Sequence, residues 1–293
     1  MADGYMEPMT LDRLMVELRP RLHRYCARMV GSALDGEDVL QEAYAKAAEA
    51  YPGDGGIERP ESWLFRIAHN TALDALRRRK RQAMVRSEID LSSLADPGAA
   101  ADARVAATSS LAALMRLPAA QRSSVVLMDV LGYSLAETVE ILGVSLAAVK
   151  AALHRARARL QILAADTDAS PPRLDATELD RLRAYADRFN ARDFDALRDL
   201  LAEDVRLDLV SRTKLAGRKD VSVYFGRYDG LFDWRFVAGL ADRRPALLGY
   251  DPADASGAPS WAVFLGWADE RIVTIRDFRF APYVMASLEV GVL

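Results

Sequence analysis

The sequence predicts a multidomain protein in which two all-α modules precede an α+β domain. Apolar residues recur at three- and four-residue steps in the first half of the chain, which indicates amphipathic helices. Later segments alternate apolar and polar residues, which is typical of strands. Two stretches rich in Ala, Asp, Ser and Pro separate these parts and are predicted to be linkers. We therefore expect a first module over 1–82 and a second module over 113–163, joined by a linker over 83–112. A second linker over 164–174 leads to the final domain over 175–293.

The net charge of the chain is only −3, so the chain as a whole is not a polycation. Any polyanion must therefore be bound by a local cluster of cations. The one cysteine, Cys26, excludes an internal disulfide, and its apolar neighbours predict a core position. No apolar run reaches the roughly 18 residues of a membrane-spanning helix. We expect a cytoplasmic protein that contacts no membrane and holds no metal or cofactor.

The first module begins with two predicted helices. Apolar residues over 11–29 form one helical face, and Pro20 within it predicts a kink or a split because proline removes a backbone donor. Asp35 with Asp38 resembles a capping box, which predicts a second helix over 36–50.

A third helix is predicted to begin near Pro60, after a loop rich in Pro and Gly, and to end in the five cations 77–81. The helix dipole favours cations at this end, so the cluster by itself requires no function. Trp63 and Phe65 near the helix start are expected in the core. If they are exposed instead, they could stack on the bases of an opened nucleic acid.

The second module has the pattern of a helix-turn-helix. Ser134 with Glu137 forms a capping box for a short helix over 134–142, Gly143 permits the turn, and a longer helix begins at Ser145.

Two sets of side chains define this motif. The expected core between its helices consists of Val139, Leu142, Val149 and Leu153. The basic residues expected on the outer face of the longer helix are Lys150, His154, Arg155, Arg157 and Arg159. An outward basic helix suits the major groove of DNA. The alternative is an ordinary three-helix segment with a solvated charged face.

The C-terminal part has a different pattern. Helices are predicted over 176–190, 194–202 and 216–228. Strands are predicted over 205–210, 234–241, 246–250, 261–267 and 271–280. Helices followed by strands indicate an α+β fold. Histidine is absent after residue 154, which excludes histidine-based catalysis in this domain.

Several of these stretches resemble one family. Residues 35–44 (DGEDVLQEAY) and 63–81 (WLFRIAHNTALDALRRRKR) resemble region 2 of the extracytoplasmic-function (ECF, group IV) sigma factors of bacterial RNA polymerase. Residues 117–122 (LPAAQR), 132–137 (GYSLAE) and 153–160 (LHRARARL) are similar to region 4 of that family. The motifs occur in the family's order and spacing.

The resemblance implies roles for both modules. In the family, region 2 binds the clamp helices of the polymerase β′ subunit and melts and reads the −10 element, while region 4 reads the −35 element and contacts the β flap. The residues matching the polymerase contact are Asp35, Glu37, Asp38 and Glu42. The residues matching the −10 contact are Asn70, Asp74, Arg77 and Arg78. The −35 contact would fall on the five basic residues of the longer helix, and the loop 51–61 stands where the family captures a flipped base.

The C-terminal stretches 185–205 and 216–220 resemble the SnoaL-like members of the nuclear-transport-factor-2 (NTF2) superfamily, whose curved sheet and helices form a cone. The resemblance implies a pocket for a small-molecule ligand, with the candidate residues Asp208, Trp234, Trp261 and Asp277. Alternatively, the carboxylates face solvent and the tryptophans fill the core. Sigma factors with this kind of extension are thought to be regulated by it in cis.

These observations favour a sigma factor that is not itself an enzyme, with core RNA polymerase and promoter DNA as partners. One alternative is a SnoaL-like isomerase or hydrolase fused to a DNA-binding module. Another is a LuxR-type regulator, which residues 11–81 disfavour because such a protein needs no region 2.

Overall fold

The computed structural model describes residues 10–53, 57–86, 111–164, 176–226, 228 and 234–292. The chain forms two compact units, Met1–Ser170 and Pro171–Leu293. Most of both expected linkers lies outside the described residues. Within the described part of the chain, no helix combines the length and the apolar character needed to cross a bilayer.

Three long helices, α1 to α3, begin the first unit and pack against one another. They span Leu11–Val30, Ala33–Ala50 and Pro60–Arg86. Pro20 lies inside an unbroken α1, so the expected split is wrong. Leu18 and Leu22 are buried on either side of the proline, and their packing keeps both halves in one helix. Cys26 is fully buried, as expected.

Helix α2 begins three residues earlier than predicted. Its N-cap is Ser32, whose hydroxyl accepts a hydrogen bond from the backbone N–H of Asp35. The predicted start at Gly36 and the Asp35 cap are therefore wrong. Gly36 instead lies within the first turns of α2, where an added Cβ would come within 2.6 Å of the Ala27 backbone. The glycine thus permits the close approach of α1 and α2.

The remaining helices of this unit are shorter, apart from the last. Helices α4 to α7 span Leu111–Met115, Ala119–Val125, Leu135–Leu142 and Leu146–Ala164. A π-helical turn, Val126–Val130, extends α5. The capping box of Ser134 and Glu137 and the left-handed conformation of Gly143, with a φ of 66°, confirm the predicted helix-turn-helix.

The core of the helix-turn-helix differs from the expected set in α6. Val149 and Leu153 of α7 are buried as predicted, but Thr138 and Ile141 are the buried residues of α6. The predicted Val139 and Leu142 are only partly buried. Helix α6 packs against α3 as well as α7, which rotates its buried face away from the position that the motif alone would give.

Arg122 joins the end of α1 to the start of the second module. Its guanidinium is buried and donates hydrogen bonds to four backbone carbonyls, those of Met29, Leu114, Met115 and Leu117. Burial lowers the pKa of Arg122 to about 10. These bonds satisfy carbonyls at the ends of helices, where no intrahelical donor is available.

The second unit is an α+β domain, as predicted. Its helices α8 to α10 span Ala176–Asn190, Phe194–Asp199 and Arg218–Gly226. Its strands β1 to β7 span Leu201–Leu209, Thr213–Ala216, Arg235–Ala241, Arg244–Tyr250, Trp261–Ala268, Arg271–Asp277 and Val290–Val292. A short 3₁₀ helix, Pro282–Ser287, precedes β7. The predicted helix 194–202 ends earlier because its last residues begin β1, and the sequence did not predict β2 or β7.

One mixed sheet organises this unit, with the strand order β2-β1-β6-β5-β4-β3-β7. Strands β1 and β6 are parallel, and the other described pairs are antiparallel. Aromatic rings fill the core, where Phe189 of α8 contacts the rings of Phe194, Phe225, Tyr228, Trp234 and Phe236.

Candidate nucleic-acid interface

The outer face of α7 carries the predicted basic residues. Lys150, His154, Arg155 and Arg159 are exposed. Arg157 is half-buried and forms two hydrogen bonds with the carboxylate of Asp129, at 2.5 and 2.9 Å. An open groove of about 440 Å³ runs beside this face. The structure therefore presents four of the five residues outward and holds the fifth in an ion pair.

The predicted −10 residues lie along one side of α3. Asn70, Arg77 and Arg78 are exposed, and Asp74 is half-buried. Their spacing of three or four residues places them on neighbouring turns of one helical face. Arg66, which sequence reasoning did not select, is exposed one turn before Asn70 and extends the same face.

The charges on this face are paired within the module. Arg77 bonds Asp74 at 2.9 Å, and Arg78 bonds Glu42 of α2 at 2.6 Å. Lys46 lies 2.8 Å from the same Glu42 carboxylate. The hydrogen bond from Arg78 is the largest of the influences that lower the pKa of Glu42. Glu42, which is predicted to contact the polymerase, is thus hydrogen-bonded to Arg78, which is predicted to contact DNA.

The other predicted acidic residues have different surroundings. Asp38 is exposed, and Asp35 forms a 2.5 Å ion pair with Arg79 at the far end of α3. Glu37 is fully buried and lies 2.5 Å from the guanidinium of Arg19. The outward acidic face of α2 therefore contains Asp35, Asp38 and Glu42, while Glu37 connects α2 to α1.

The two aromatic residues near the start of α3 have different environments. Phe65 is fully buried, as expected, whereas Trp63 is only partly buried and contacts the ring of Tyr51. His69, further along the helix, is buried with its Nδ1 2.7 Å from the Tyr25 hydroxyl. Burial lowers the pKa of His69 to about 4, so this imidazole is neutral at pH 7 and belongs to the core.

A pocket of about 290 Å³ opens beside Trp63. We call it the α3 pocket, and it is lined by Ile57, Glu58, Arg59, Ser62, Trp63, Arg66 and Glu140. Six of these residues belong to the loop before α3 or to its first turns, and Glu140 comes from α6 of the second module. Ile57, Glu58 and Arg59 belong to the loop 51–61 that the resemblance assigns to a flipped base, and residues 54–56 of that loop lie outside the described residues. Arg66 and Glu140 were not predicted as site residues, although the four-residue step from Arg66 to Asn70 was visible in the sequence.

In the C-terminal domain, Asp277 is fully buried and hydrogen-bonded on both carboxylate oxygens. The hydroxyls of Tyr224 and Tyr228 donate to Oδ2 at 2.7 and 2.9 Å, and the Arg279 backbone N–H donates to Oδ1 at 2.8 Å. Desolvation raises the pKa of Asp277, and these three donors act in the opposite direction. The Asp277 carboxylate therefore holds the hydroxyl groups of Tyr224 and Tyr228 in position.

Of the other predicted pocket residues, Trp234 contacts the ring of Tyr228, and Trp261 lies 5.0 Å from the guanidinium of Arg279. Trp234 and Trp261 are both 5% exposed and both contact the ring of Phe236. Among the described residues, neither indole N–H has a hydrogen-bond partner. Asp208 lies opposite Arg276 in the sheet and 3.5 Å from its guanidinium. Because successive residues of a strand alternate, this pair is on the face opposite Asp277.

The modules match known families. Residues 14–82 match Sigma-70 region 2, and residues 111–160 match Sigma-70, region 4. The ECF RNA polymerase sigma factor SigG of Mycobacterium tuberculosis is 34% identical over 286 residues, which cover 86% of this chain and 72% of SigG. The chain belongs to the ECF RNA polymerase sigma factors. This confirms the family expected from the motifs.

Solved structures similar to this sigma factor cover both units. The crystal structure of the M. tuberculosis ECF sigma factor SigJ is 23% identical and covers 92% of this chain and 95% of SigJ, with a TM-score of 0.37. An NTF2-like protein of Cytophaga hutchinsonii is 14% identical and covers 34% of this chain and 96% of that protein, with a TM-score of 0.27.

Proposed function

We propose that this sigma factor directs core RNA polymerase to promoters through α3 at the −10 element and α7 at the −35 element. The observation that carries the proposal is the exposure of basic residues on both helices in a chain whose net charge is −3. Phosphate contacts supply much of the affinity for DNA, and base-edge contacts supply the specificity. On α7 we assign base contacts to Lys150, His154 and Arg155, and phosphate contacts to Arg157 and Arg159.

We assign the polymerase contact to α2 and the opening of the −10 element to α3. Asp35, Asp38 and Glu42 would face the clamp helices of the β′ subunit, and Glu37 would support them by fixing α2 to α1. Asn70, Asp74, Arg77 and Arg78 would contact the −10 element. The proposal retains the boundaries 1–82, 113–163 and 175–293 for the three functional parts, and it places the protein in the cytoplasm with the polymerase.

The C-terminal domain is proposed to regulate the sigma modules in cis, without catalysis of its own. The three donors on Asp277 support this, because a catalytic carboxylate needs a position open to substrate. The two buried indole N–H groups of Trp234 and Trp261 favour a small ligand with an apolar body and a hydrogen-bond acceptor. A bound ligand would regulate transcription through different affinities for two arrangements of the chain.

Transcription in vitro tests the main proposal. Core polymerase is incubated with fragmented genomic DNA, with or without the full-length chain, and the transcript starts are sequenced. We expect new starts that share −10 and −35 elements and that weaken with Arg155→Ala. Arg183→Ala, which removes an exposed cation from α8, serves as the matched control. A chain that neither associates with core polymerase nor adds transcript starts would refute the proposal.

A further inference from the structure

The π-helical turn after α5 changes the direction in which Asp129 faces. Arg122, Val125 and Val126 are buried at the three- and four-residue spacing that defines one face of a regular α-helix. Asp129 comes next in that series, so a regular helix would place its carboxylate on the buried face. In the π turn, the Leu131 backbone N–H instead bonds the carbonyl of Val126, five residues back, and Asp129 is exposed. Single π turns are rare and occur frequently at functional sites.

The Asp129 carboxylate binds the guanidinium of Arg157 on α7 side-on. Its Oδ2 accepts a hydrogen bond from Nε at 2.9 Å, and its Oδ1 accepts one from Nη2 at 2.5 Å. Two parallel bonds of this kind fix the plane of the guanidinium as well as its position. Only 24% of the Asp129 side chain is accessible to solvent, so the pair is partly shielded from water. The π turn therefore gives Arg157 a defined orientation.

Arg157 retains hydrogen-bonding capacity while it is paired. A guanidinium has five N–H groups, and Asp129 accepts from two of them. The remaining three, two on Nη1 and one on Nη2, can bind phosphate in the fork geometry that arginine provides.

Arg157 lies on the same face of α7 as two of the proposed base contacts. Lys150 and His154 precede it by seven and three residues, and all three line the groove beside α7. Phosphate contacts fix the register and orientation of a protein on a duplex. A phosphate bound by Arg157 would therefore fix how Lys150 and His154 meet the base edges.

The negative charge of Asp129 permits two explanations with opposite consequences. A carboxylate beside a DNA-binding face repels phosphate, so on charge alone its removal should raise the affinity for every sequence. If Asp129 instead orients Arg157, its removal should lower the affinity for the matching sequence. The released Arg157 side chain would then lose its own conformational freedom when DNA binds.

We propose that the π turn after α5 presents Asp129 as a positioning residue, which holds Arg157 in the orientation that binds a phosphate of the −35 element. This inference rests on the proposed role of α7 at that element. It gives Asp129 no contact with DNA of its own. Discrimination between sequences is the property that depends on Asp129, because the oriented phosphate contact sets the register of the base contacts.

Binding of two labelled duplexes to the full-length chain tests the positioning role. Each duplex spans about two helical turns, roughly 20 base pairs. One carries the −35 element shared by the sequenced transcript starts, the other carries the same bases in scrambled order, and fluorescence anisotropy gives both affinities. Asp129→Asn is expected to lower the affinity for the matched duplex about fivefold and not to lower that for the scrambled duplex. Glu49→Gln, which removes an exposed charge from α2, should change neither affinity.

The ratio of the two affinities separates positioning from a loss of folded protein. A partly unfolded variant loses affinity for both duplexes by the same factor, so its ratio stays that of the wild type. Arg157→Lys keeps the positive charge without the two-bond pair and should lower the ratio as Asp129→Asn does. In an Arg157→Ala chain, Asp129→Asn should cause no further loss, because the group that it positions is absent.

The same titrations show which of the two proposals fails. If the wild type distinguishes the duplexes and Asp129→Asn distinguishes them equally well, the inference is overturned and the proposed role of α7 stands. A loss of the same size in the Arg157→Ala chain would also overturn the inference, since Asp129 would then act without Arg157. A wild type that binds both duplexes equally would overturn the proposed role of α7 together with this inference.

Discussion

His69 illustrates, at the scale of single residues, how burial decides a side chain's role. It lies on the same helix as the predicted −10 residues, one position before the exposed Asn70. Yet its ring faces inward and contacts Tyr25, and desolvation lowers its pKa to about 4. A histidine beside the proposed DNA-binding face is therefore part of the module's core.

We expect the stability of the first unit to fall as the pH is lowered from about 6.5 to about 4. The unfolded chain binds a proton at His69 with a pKa near 6.5, whereas the folded chain binds it only near 4. Between these values the unfolded state holds more protons, so acid favours unfolding. Buried His23, whose pKa is also lowered, acts in the same direction.

Thermal unfolding followed by circular dichroism at several pH values measures this effect. His69→Gln should reduce the pH dependence, and His154→Gln, at an exposed position of α7, should leave it as in the wild type. If the melting temperature depends on pH equally in the wild type and in His69→Gln, His69 is not the cause of the effect.

At the scale of elements, the contact between α1 and α2 depends on Gly36. Its missing side chain lets the Ala27 backbone approach, and a Cβ there would lie 2.6 Å from Ala27 Cα. Real Cβ atoms do not approach backbone atoms this closely, so a substitution must separate the helices.

Gly36→Ala is therefore expected to destabilise the first unit by about 1–3 kcal/mol, despite the better helix propensity of alanine. Urea unfolding measures the change. Gly226→Ala is the matched control, because an added Cβ at that helical glycine has nothing within 4 Å. If both variants are as stable as the wild type, the close approach is not required.

The sequence predicted which helices and strands form better than it predicted where they end or which distant residues contact each other. Ser134, Glu137 and Gly143 act within one short segment, so their pattern defined the second module's turn correctly. The start of α2 was misplaced because Ser32 competes with Asp35 as a cap. The part of Glu140 in the α3 pocket was not predicted because Glu140 is distant in sequence from Arg59, and no local pattern connects them.

At the scale of the whole molecule, the two helices proposed to bind DNA and an α+β domain share one chain. Removing the residues after 170 removes the second compact unit, Pro171–Leu293, and leaves the first unit whole. If the C-terminal domain regulates in cis, the truncated and full-length chains must differ in transcription, because only one of them contains the regulator.

We expect promoter-dependent transcription by core polymerase to change when the chain is truncated after residue 170. The assay compares equal concentrations of both chains on the same template, with polymerase binding measured in parallel. Identical transcript yields at equal polymerase binding would end the proposal of regulation in cis.

The ion pairs of α3 have a consequence for how salt acts on promoter binding. Arg77 and Arg78 already have the carboxylates of Asp74 and Glu42 as partners. In the proposed complex, each of these arginines would therefore release fewer of the cations bound to DNA than an unpaired arginine would. Removing the partner with Glu42→Gln should steepen the decline of affinity with rising salt by up to about one logarithmic unit per decade. Titrations at several potassium chloride concentrations would measure that slope, and an identical slope in both chains would mean that the carboxylate does not act as a built-in counterion.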